Sequence, residues 1–258
     1  MSARRDRMAT LTNGGLDQAP LAGKADSVLL YFHGLGSNGS EAKFLFEELA
    51  PALPRTHFHA PNAPFAYDPA RDPKSARTEK RENSWMWYDR FSERTRVEGL
   101  NAIIPTIDGY IDEKAAQHGV GRDRVVAWGF SQGCILVCHV IPRLAQGIGG
   151  FIAHSGYLFS PDSLAQRRDY RKKFFEKIKN KTPLCAINGM EDRAQSWQMS
   201  LEAATTLDEA GVLVESHIIG GMGHAITKQS AAIGRDFILR VLKAAEAPST
   251  ASLVAVGR

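Results

Sequence analysis

Residues 124–139 read RVVAWGFSQGCILVCH, and this stretch decides the fold of the chain. Residues 125–128 form a short apolar run between a charged residue and a glycine, which is typical of a buried strand. The residues after Gln132 are again apolar and fit a buried helix. Between the two lies the pattern G-x-S-x-G at residues 129–133. The stretch therefore predicts a strand that turns directly into a helix, with Ser131 at the apex.

The geometry of this turn makes Ser131 a candidate nucleophile. A strand that passes at once into a helix leaves no space for side chains beside the turn, so glycines flank it. The apex residue is held in a strained backbone that points its side chain over the sheet. The first N–H groups of the helix lack partners within the helix and can bind an oxyanion. An ordinary glycine-rich turn fits the same pattern, so residues elsewhere in the chain must decide.

The composition predicts a single globular domain. The chain has 258 residues, of which 43% are hydrophobic and 23% charged, and no change of composition marks a linker. We expect one domain at residues 25–245, after a partly ordered segment at residues 1–24 with at most a short edge strand near residues 9–11. A disordered tail is expected at residues 246–258. The net charge of +4 is too small to indicate nucleic-acid binding.

Cysteine usage and the absence of long apolar runs indicate the compartment. Cys134, Cys138 and Cys185 lie in apolar runs, which is typical of a reducing environment without disulfides. No apolar run follows the basic N-terminus, and no stretch approaches the length of about 18 apolar residues that a membrane span needs. We therefore expect a cytoplasmic protein without stable membrane insertion.

Short apolar runs alternate with amphipathic stretches along the chain. This alternation predicts an α/β fold, a doubly wound and mostly parallel sheet with helices on both faces. Beside the strand and helix around Ser131, strands are expected at residues 27–32, 57–59, 150–155, 183–188 and 214–219, and helices at residues 41–50, 96–118, 196–210 and 225–245.

A glycine-dense turn, HGLGSNG at residues 33–39, follows the first strand. Such a turn can bind phosphate, but this one lacks the G-x-G-x-x-G order and the P-loop lysine. The favoured interpretation is a loop whose backbone N–H groups complete an oxyanion hole beside Ser131.

Two histidines raise the question of a metal site. His57 and His59 share one face of a predicted strand and could bind a metal ion there. No third ligand is near in sequence, so we expect neither a metal nor another cofactor.

Aromatic residues follow a long charged loop at residues 66–84. The run WMWYD at residues 85–89 suits the wall of an apolar acyl pocket, although it would also suit a core. The candidate pocket residues are Phe65, Trp85, Trp87 and Met222.

The most basic stretch lies at residues 167–181, where eight lysines or arginines stand against two acids. Its apolar residues fall on one side, so it could form a basic flap that meets anionic lipid weakly. The solvated face of an ordinary surface helix is the favoured interpretation.

Three chemistry-bearing residues follow three predicted strands. Ser131, Asp192 and His224 each come just past a strand end, and in a parallel sheet these ends share one edge. Alone, each could be a turn, cap or loop residue, but their order is the one that the α/β-hydrolase arrangement requires. His224 would take the proton of Ser131 and return it to the leaving group, while Asp192 would fix the imidazole tautomer. Glu191 is an adjacent alternative acid.

Several motifs occur together, namely HGLG at residues 33–36, APNAP at 60–64, WYD at 87–89, GFSQG at 129–133, Asp192 after a strand-end glycine, and GH at 223–224. In this order, over residues 28–243, they resemble the phospholipase/carboxylesterase family, which includes acyl-protein thioesterases. The resemblance implies metal-free hydrolysis of carboxylic esters or thioesters, with an oxyanion hole formed by the backbone N–H groups of Leu35 and Gln132. The chain departs from the family at Asn188, where a histidine is usual, and at Cys134, where a second glycine is usual.

The expected protein is a serine hydrolase that cleaves small-molecule esters or acyl compounds through an acyl-enzyme, as a monomer or homodimer. A lysophospholipase or a peptidase on the same fold is an alternative. A non-catalytic binding protein is a further one, although it would be expected to have lost a triad residue.

Overall fold

The computed structural model describes residues 11–72, 82–159 and 164–246. Its main sheet has seven strands, and two further strands form a separate hairpin. In chain order the elements are β1 (Thr12–Gln18), β2 (Ser27–Phe32), α1 (Lys43–Leu49), β3 (Thr56–Asn62), β4 (Phe65–Ala66), β5 (Trp85–Met86), α2 (Glu93–Ala102), α3 (Ile104–His118), β6 (Val125–Phe130), α4 (Gln132–Val140), β7 (Gly150–His154), α5 (Leu164–Phe175), β8 (Leu184–Gly189), α6 (Trp197–Glu209), β9 (Val214–Ile219) and α7 (Lys228–Glu246).

The sheet has the order β1-β3-β2-β6-β7-β8-β9. β1 pairs with β3 antiparallel, and every other neighbouring pair in this sheet is parallel. One face carries a core built with side chains from α3 and α4, and the other carries a core built with α1 and α7. The expected fold class, a doubly wound and mostly parallel sheet with helices on both faces, is therefore confirmed.

The central strands are covered on both faces. Every residue of β2, β6 and β8 is buried. A parallel strand of this kind appears in the sequence as a continuous apolar run, because neither face meets water. This arrangement places the carboxyl ends of β6, β8 and β9 along one edge, where Ser131, Asp192 and His224 follow them.

The single helix expected over residues 96–118 is two helices. α2 begins at Glu93, where Ser92 and Thr95 form a capping box, and it is followed by Ile103. α3 starts at Ile104 with Pro105 in its first turn. Proline has no backbone N–H and clashes with the preceding turn, so the helix is interrupted there although the apolar periodicity continues across it.

The N-terminal edge strand begins later than expected. Residues 9 and 10 lie outside the described residues, Leu11 belongs to no strand, and β1 starts at Thr12. A β-carbon on Gly15 would lie 2.1 Å from the carbonyl oxygen of Ala60, so only glycine allows this close pairing with β3. The strand TNGGLDQ is polar and glycine-rich, which is tolerated at a sheet edge but gives little strand signal in the sequence.

The basic stretch at residues 167–181 packs its apolar side chains inward. Phe174 is buried, and Tyr170, Phe175 and Ile178 lie against the core on the α3 and α4 face. The lysines of the described part, among them Lys172 and Lys173, are exposed. The stretch thus consists of the C-terminal part of the surface helix α5, which ends at Phe175, and a following turn, with its lysines in solvent. This agrees with the favoured interpretation, and the apolar side of the stretch already packs on the core.

Candidate active site

Ser131 occupies the sharp turn between β6 and α4. Its backbone has φ 54° and ψ −112°, a conformation with positive φ that few non-glycine residues adopt. A β-carbon on Gly133 would lie 1.9 Å from the carbonyl oxygen of Phe32, and one on Gly129 would lie 2.2 Å from that of Gly133. Both glycines are therefore sterically required, and the strained turn is the strand-to-helix elbow that the G-x-S-x-G spacing predicts.

Asp192 and His224 form a hydrogen-bonded pair at the same sheet edge. His224 Nδ1 lies 2.8 Å from Asp192 Oδ2. The other carboxylate oxygen of Asp192 accepts hydrogen bonds from the backbone N–H groups of Ala194 at 2.9 Å and Gln195 at 2.8 Å. The side chain of Asp192 is 0% exposed, and that of His224 is 26% exposed. A buried carboxylate with fixed partners can hold the imidazole in one orientation.

The neighbouring acid has no such position. Glu191 is exposed. Its backbone N–H donates a hydrogen bond to the carbonyl of Met222, but its side chain forms none with the described residues. Asn188, at the position where the family usually has histidine, is buried and donates from its amide nitrogen to the carbonyls of Gly189 at 3.1 Å and Gln195 at 3.0 Å. The loop that carries Asp192 is thus held at both ends.

His154, at the end of β7, is a buried histidine beside this pair. Its ring lies against Phe130, which in turn contacts the ring of His224 at 4.9 Å between centroids. Neither ring nitrogen of His154 has a hydrogen-bond partner among the described residues. Burial, with a smaller effect of His224, lowers the pKa of His154 to about 3. The side chain is therefore neutral, and its backbone carbonyl accepts the N–H of Ser131 at 3.0 Å. Sequence reasoning gave His154 no role.

The glycine-dense turn after β2 lies against Ser131. The N–H of Gly34 donates to the Glu41 carboxylate at 3.2 Å, and that of Gly36 to the carbonyl of Trp85 at 2.9 Å. Between them, the N–H of Leu35 makes no hydrogen bond within the described part of the chain. Gln132 opens α4, so its N–H is one of those that a helix leaves without an internal partner. The two N–H groups expected to form the oxyanion hole are thus both available.

His33 explains why three of the family motifs occur together. Its Nδ1 donates to the carbonyl of Gly34 at 2.7 Å, and its Nε2 accepts the N–H of Ala63 at 3.1 Å. Burial lowers the pKa of His33 to about 4, so the imidazole is neutral and can play both roles. The indole N–H of Trp87 donates to the carbonyl of His33 at 2.9 Å. The HGLG, APNAP and WYD segments therefore fix one another's position beside Ser131.

The cavity beside Ser131 differs from the expected acyl pocket. It measures about 310 Å³, and its lining includes Leu35, Tyr88, Arg90, Arg96, Tyr157 and Met199. The expected pocket residues Phe65, Trp85, Trp87 and Met222 are not among the residues that line it. Trp87 and Met222 are buried in the two cores, Trp85 packs against the core on the α3 face, and Phe65 is exposed on the β4–β5 hairpin.

Two arginines, Arg90 and Arg96, place positive charge at the wall of this cavity. Arg90 Nε lies 2.9 Å from the buried carboxylate of Asp72. The guanidinium of Arg96 lies over the ring of Phe159 at 5.1 Å from its centroid, and its buried Nε has no hydrogen-bond partner among the described residues. Within that part of the chain Arg96 also forms no ion pair. The sequence did not predict either arginine as a site residue, because neither belongs to a motif, although Arg90 directly follows WYD at residues 87–89.

A strained serine elbow and a buried acid–histidine pair, on one edge of a doubly wound sheet, define a serine hydrolase of the α/β-hydrolase class. The sequence model of one family, Phospholipase/Carboxylesterase, matches residues 19–242, and the chain belongs to that family. It is an enzyme of the carboxylesterase and acyl thioesterase type, as the resemblance implied.

Individual relatives agree with this assignment. Acyl-protein thioesterase 1 of Kluyveromyces lactis is 31% identical over 175 residues, which cover 66% of this chain and 75% of that protein. Esterase YpfH of Escherichia coli is 26% identical over 218 residues, 83% of this chain and 82% of that protein. The crystal structure of esterase PE8 superposes with a TM-score of 0.74 at 24% identity, covering 90% of this chain and 99% of that one, which supports the fold.

Proposed function

We propose that this enzyme hydrolyses carboxylic esters through an acyl-enzyme on Ser131, with His224 as the general base and Asp192 as the residue that orients it. The observation that carries the proposal is the 2.8 Å contact between His224 Nδ1 and the buried carboxylate of Asp192. With Nδ1 bonded in this way, Nε2 is the nitrogen that can take the Ser131 proton.

The proposed reaction has two stages. Ser131 Oγ attacks the ester carbonyl while His224 Nε2 accepts its proton, and the backbone N–H groups of Leu35 and Gln132 stabilise the oxyanion. His224 then donates this proton to the leaving alcohol, or thiol in a thioester, and the acyl group remains on Ser131. Water, deprotonated by His224, releases the acid by the same steps.

The decisive experiment measures turnover of 4-nitrophenyl esters from acetate to palmitate by wild type and Ser131→Ala. We expect the variant to lose activity by up to about 10⁶-fold, because the serine and histidine act as a unit. Ser216→Ala, at an exposed serine of β9, is the control and should keep wild-type turnover. Unchanged turnover in Ser131→Ala, or no labelling of Ser131 by a fluorophosphonate probe, would disprove the assignment.

The cavity supports a finer proposal, that the preferred esters carry a negative charge. The guanidinium of Arg96 faces no carboxylate among the described residues, and its buried Nε lacks an acceptor. A carboxylate or phosphate on a substrate in the cavity would pair with this guanidinium, which lines the cavity, since a planar guanidinium matches both groups. The ester of a dicarboxylic acid is the simplest substrate of this kind.

The charge preference is tested with mono-4-nitrophenyl glutarate and neutral 4-nitrophenyl pentanoate. Hydrogen bonds to charged groups contribute about 1.5–3 kcal/mol, so Arg96→Gln should lower kcat/KM for the glutarate ester by roughly 10-fold or more. It should leave the pentanoate ester nearly unchanged. Arg94→Gln, at an exposed arginine of the same helix, is the matched control. Equal kcat/KM values for both esters in wild type would reject the charge preference and leave the serine esterase intact.

Location and partners are part of the proposal. No helix of the described residues is long and apolar enough to cross a bilayer. The three cysteines are buried with free thiols. We propose a cytoplasmic enzyme acting on small-molecule ester or acyl substrates without a nucleic-acid partner. Lysophospholipase activity is the second candidate, because a phosphate-bearing ester also provides the anion that Arg96 lacks.

A further inference from the structure

A cluster of three histidines lies at the edge of the sheet, in a part of the molecule that the esterase reaction does not use. One ligand nitrogen each from His57, His59 and His118 lies within 4.8 Å of the other two. His59 Nε2 and His118 Nε2 are 2.8 Å apart. The ring of His57 stacks on that of His59, at 4.4 Å between centroids, and lies 4.1 Å from that of His118. We call these three residues the histidine cluster.

The fold assembles the cluster from distant parts of the sequence. His57 and His59 are two residues apart on β3 and so point to the same face. Asp17 of β1 is the cross-strand partner of His59, and its side chain shares that face. α3 packs on this face of the sheet and ends with His118, because Gly119 follows in a left-handed conformation. The sequence offers no third ligand near His57 and His59, but the fold brings His118 beside them.

The carboxylate of Asp17 contacts two of the three histidines. One of its carboxylate oxygens lies 2.5 Å from His59 Nδ1, and the other lies 2.7 Å from His57 Nε2. With Nδ1 of His59 bonded to a carboxylate, Nε2 is left to face His118. Histidines that bind metal ions commonly show this pattern, in which a carboxylate accepts the other ring N–H and fixes the ring.

We propose that the histidine cluster binds one divalent cation of the zinc type, with Asp17 orienting His59. Three imidazoles with solvent at the fourth position is an established zinc environment. Zinc–nitrogen bonds of about 2.0–2.1 Å in a tetrahedron place the ligand nitrogens roughly 3.3 Å apart. To bind the ion, the His59–His118 pair would open by about half an ångström. The His57 ring, which stacks on His59 with its Nε2 on Asp17, would turn so that one of its nitrogens points at the ion. Imidazole ligands favour zinc, copper and nickel over magnesium or calcium.

The histidine cluster lies away from the active site. His57 lies five residues before Asn62 along β3, which corresponds to roughly 16 Å at about 3.3 Å per residue. Asn62 is the end of the strand that faces the active-site loop, where its side chain accepts the N–H of Gly39 at 2.8 Å. A cation at the histidine cluster would therefore link β1, β3 and α3 without touching the reacting ester.

A second group of metal-ligand types is less suited. Cys185, Glu215 and His217 also bring ligand atoms within 4.8 Å of one another. However, Glu215 is already paired with Arg240, and the Cys185 thiol is fully buried among apolar residues that raise its pKa. His217 therefore provides a control for the histidine cluster.

The test uses the full-length enzyme after removal of metals with EDTA. Zn²⁺ binding is measured by calorimetry, and Co²⁺ is added separately to read the visible absorption bands of low-coordinate cobalt. We expect one equivalent of Zn²⁺ to bind and to raise the melting temperature. His118→Gln should lower the affinity at least as much as loss of an orienting partner does, about 10–100-fold, and abolish the cobalt bands. Asp17→Asn should weaken binding within that range.

Control measurements keep the test interpretable. His118 is half-exposed at a helix end, so His118→Gln should keep the wild-type circular dichroism spectrum and ester turnover. His217→Gln should bind Zn²⁺ like wild type. The proposal is overturned if wild type binds no Zn²⁺ under these conditions. It is also overturned if His118→Gln binds as tightly as wild type, which would place the cation elsewhere, for example at His224.

Discussion

At the scale of single residues, the adjacent acids Glu191 and Asp192 offer a sharp comparison. Asp192 is buried and bonded to His224, whereas Glu191 is exposed. Asp192→Asn leaves the size unchanged but favours the wrong imidazole tautomer, so we expect kcat to fall by about 10³–10⁴-fold. Glu191→Gln should leave kcat within about twofold. The kinetics of one nitrophenyl ester with both variants check this, and the reverse ranking would move the acid to Glu191.

The two acids also show which site residues can be predicted from a sequence pattern and which cannot. Ser131, Asp192 and His224 are found from the sequence because each follows a strand, and strand ends share an edge. Which of two consecutive acids turns inward depends on the loop conformation, here held by Asn188, and not on spacing. Trp87 is a pocket candidate for its aromatic character, yet it is 0% exposed and donates to the His33 carbonyl. Aromatic content alone does not separate a core from a pocket.

At the scale of elements, two glycines should respond oppositely to alanine. A β-carbon on Gly133, at the start of α4, would meet the Phe32 carbonyl at 1.9 Å, whereas nothing lies within 4 Å of one on Gly109 in α3. Gly133→Ala must shift β2 or the elbow, so we expect a loss of at least about 2 kcal/mol in the free energy of unfolding, together with loss of ester turnover. Gly109→Ala should gain roughly 0.5–1 kcal/mol and keep its activity.

Urea unfolding with the two variants provides the measurement. Equal stability of Gly133→Ala and wild type would contradict the steric requirement at the elbow. A destabilised Gly109→Ala would show that α3 contains a constraint that its open surroundings do not reveal.

The sequence predicts best the bounds of those elements whose residue pattern is typical of one kind of secondary structure. The predicted bounds of β2, β6 and β9 agree with the structure within two residues at each end, because a short apolar or alternating run between two turns rarely forms anything but a strand. The boundary between α2 and α3 is missed because Pro105 interrupts hydrogen bonding without interrupting the apolar period. β1 is expected too early because a polar strand owes its structure to its partner β3 rather than to its own residues.

At the scale of the whole molecule, the sequence does not predict sites whose residues come together in space from segments that contain no motif. Arg96 reaches the cavity beside Ser131 from α2, and His118 reaches His57 and His59 from the end of α3. The carboxyl ends of parallel strands lie along one edge of the sheet, which is why the sequence can predict that Ser131, Asp192 and His224 follow strands at the same edge. No comparable rule relates a helix end to an edge strand, so the histidine cluster required the packed structure.

The buried histidines predict how the stability of the whole molecule depends on pH. Burial is the main cause that lowers the pKa of His33 to about 4 and the pKa values of His139 and His154 to about 3. In the unfolded chain these groups protonate near pH 6.5. Between pH 6.5 and 4 the unfolded state therefore binds more protons than the folded state. The free energy of unfolding should therefore not be reduced by these histidines above pH 6.5. It should decrease as the pH falls below 6.5, by up to about 1.4 kcal/mol per pH unit for each histidine.

His154 is the group with which to test this linkage, because its ring nitrogens have no hydrogen-bond partners to lose among the described residues. The titratable groups near it are His224, which lowers the pKa of His154 further, and Asp192, which opposes that effect. His154→Phe should therefore reduce the slope of the unfolding free energy against pH between pH 6.5 and 4 by the contribution of one histidine, up to about 1.4 kcal/mol per pH unit. Urea unfolding of both proteins in EDTA, at several pH values across this range, measures the slopes. Parallel curves would show that His154 is protonated in the folded enzyme or becomes accessible before unfolding, and its burial beside the Asp192–His224 pair would then not be maintained in solution.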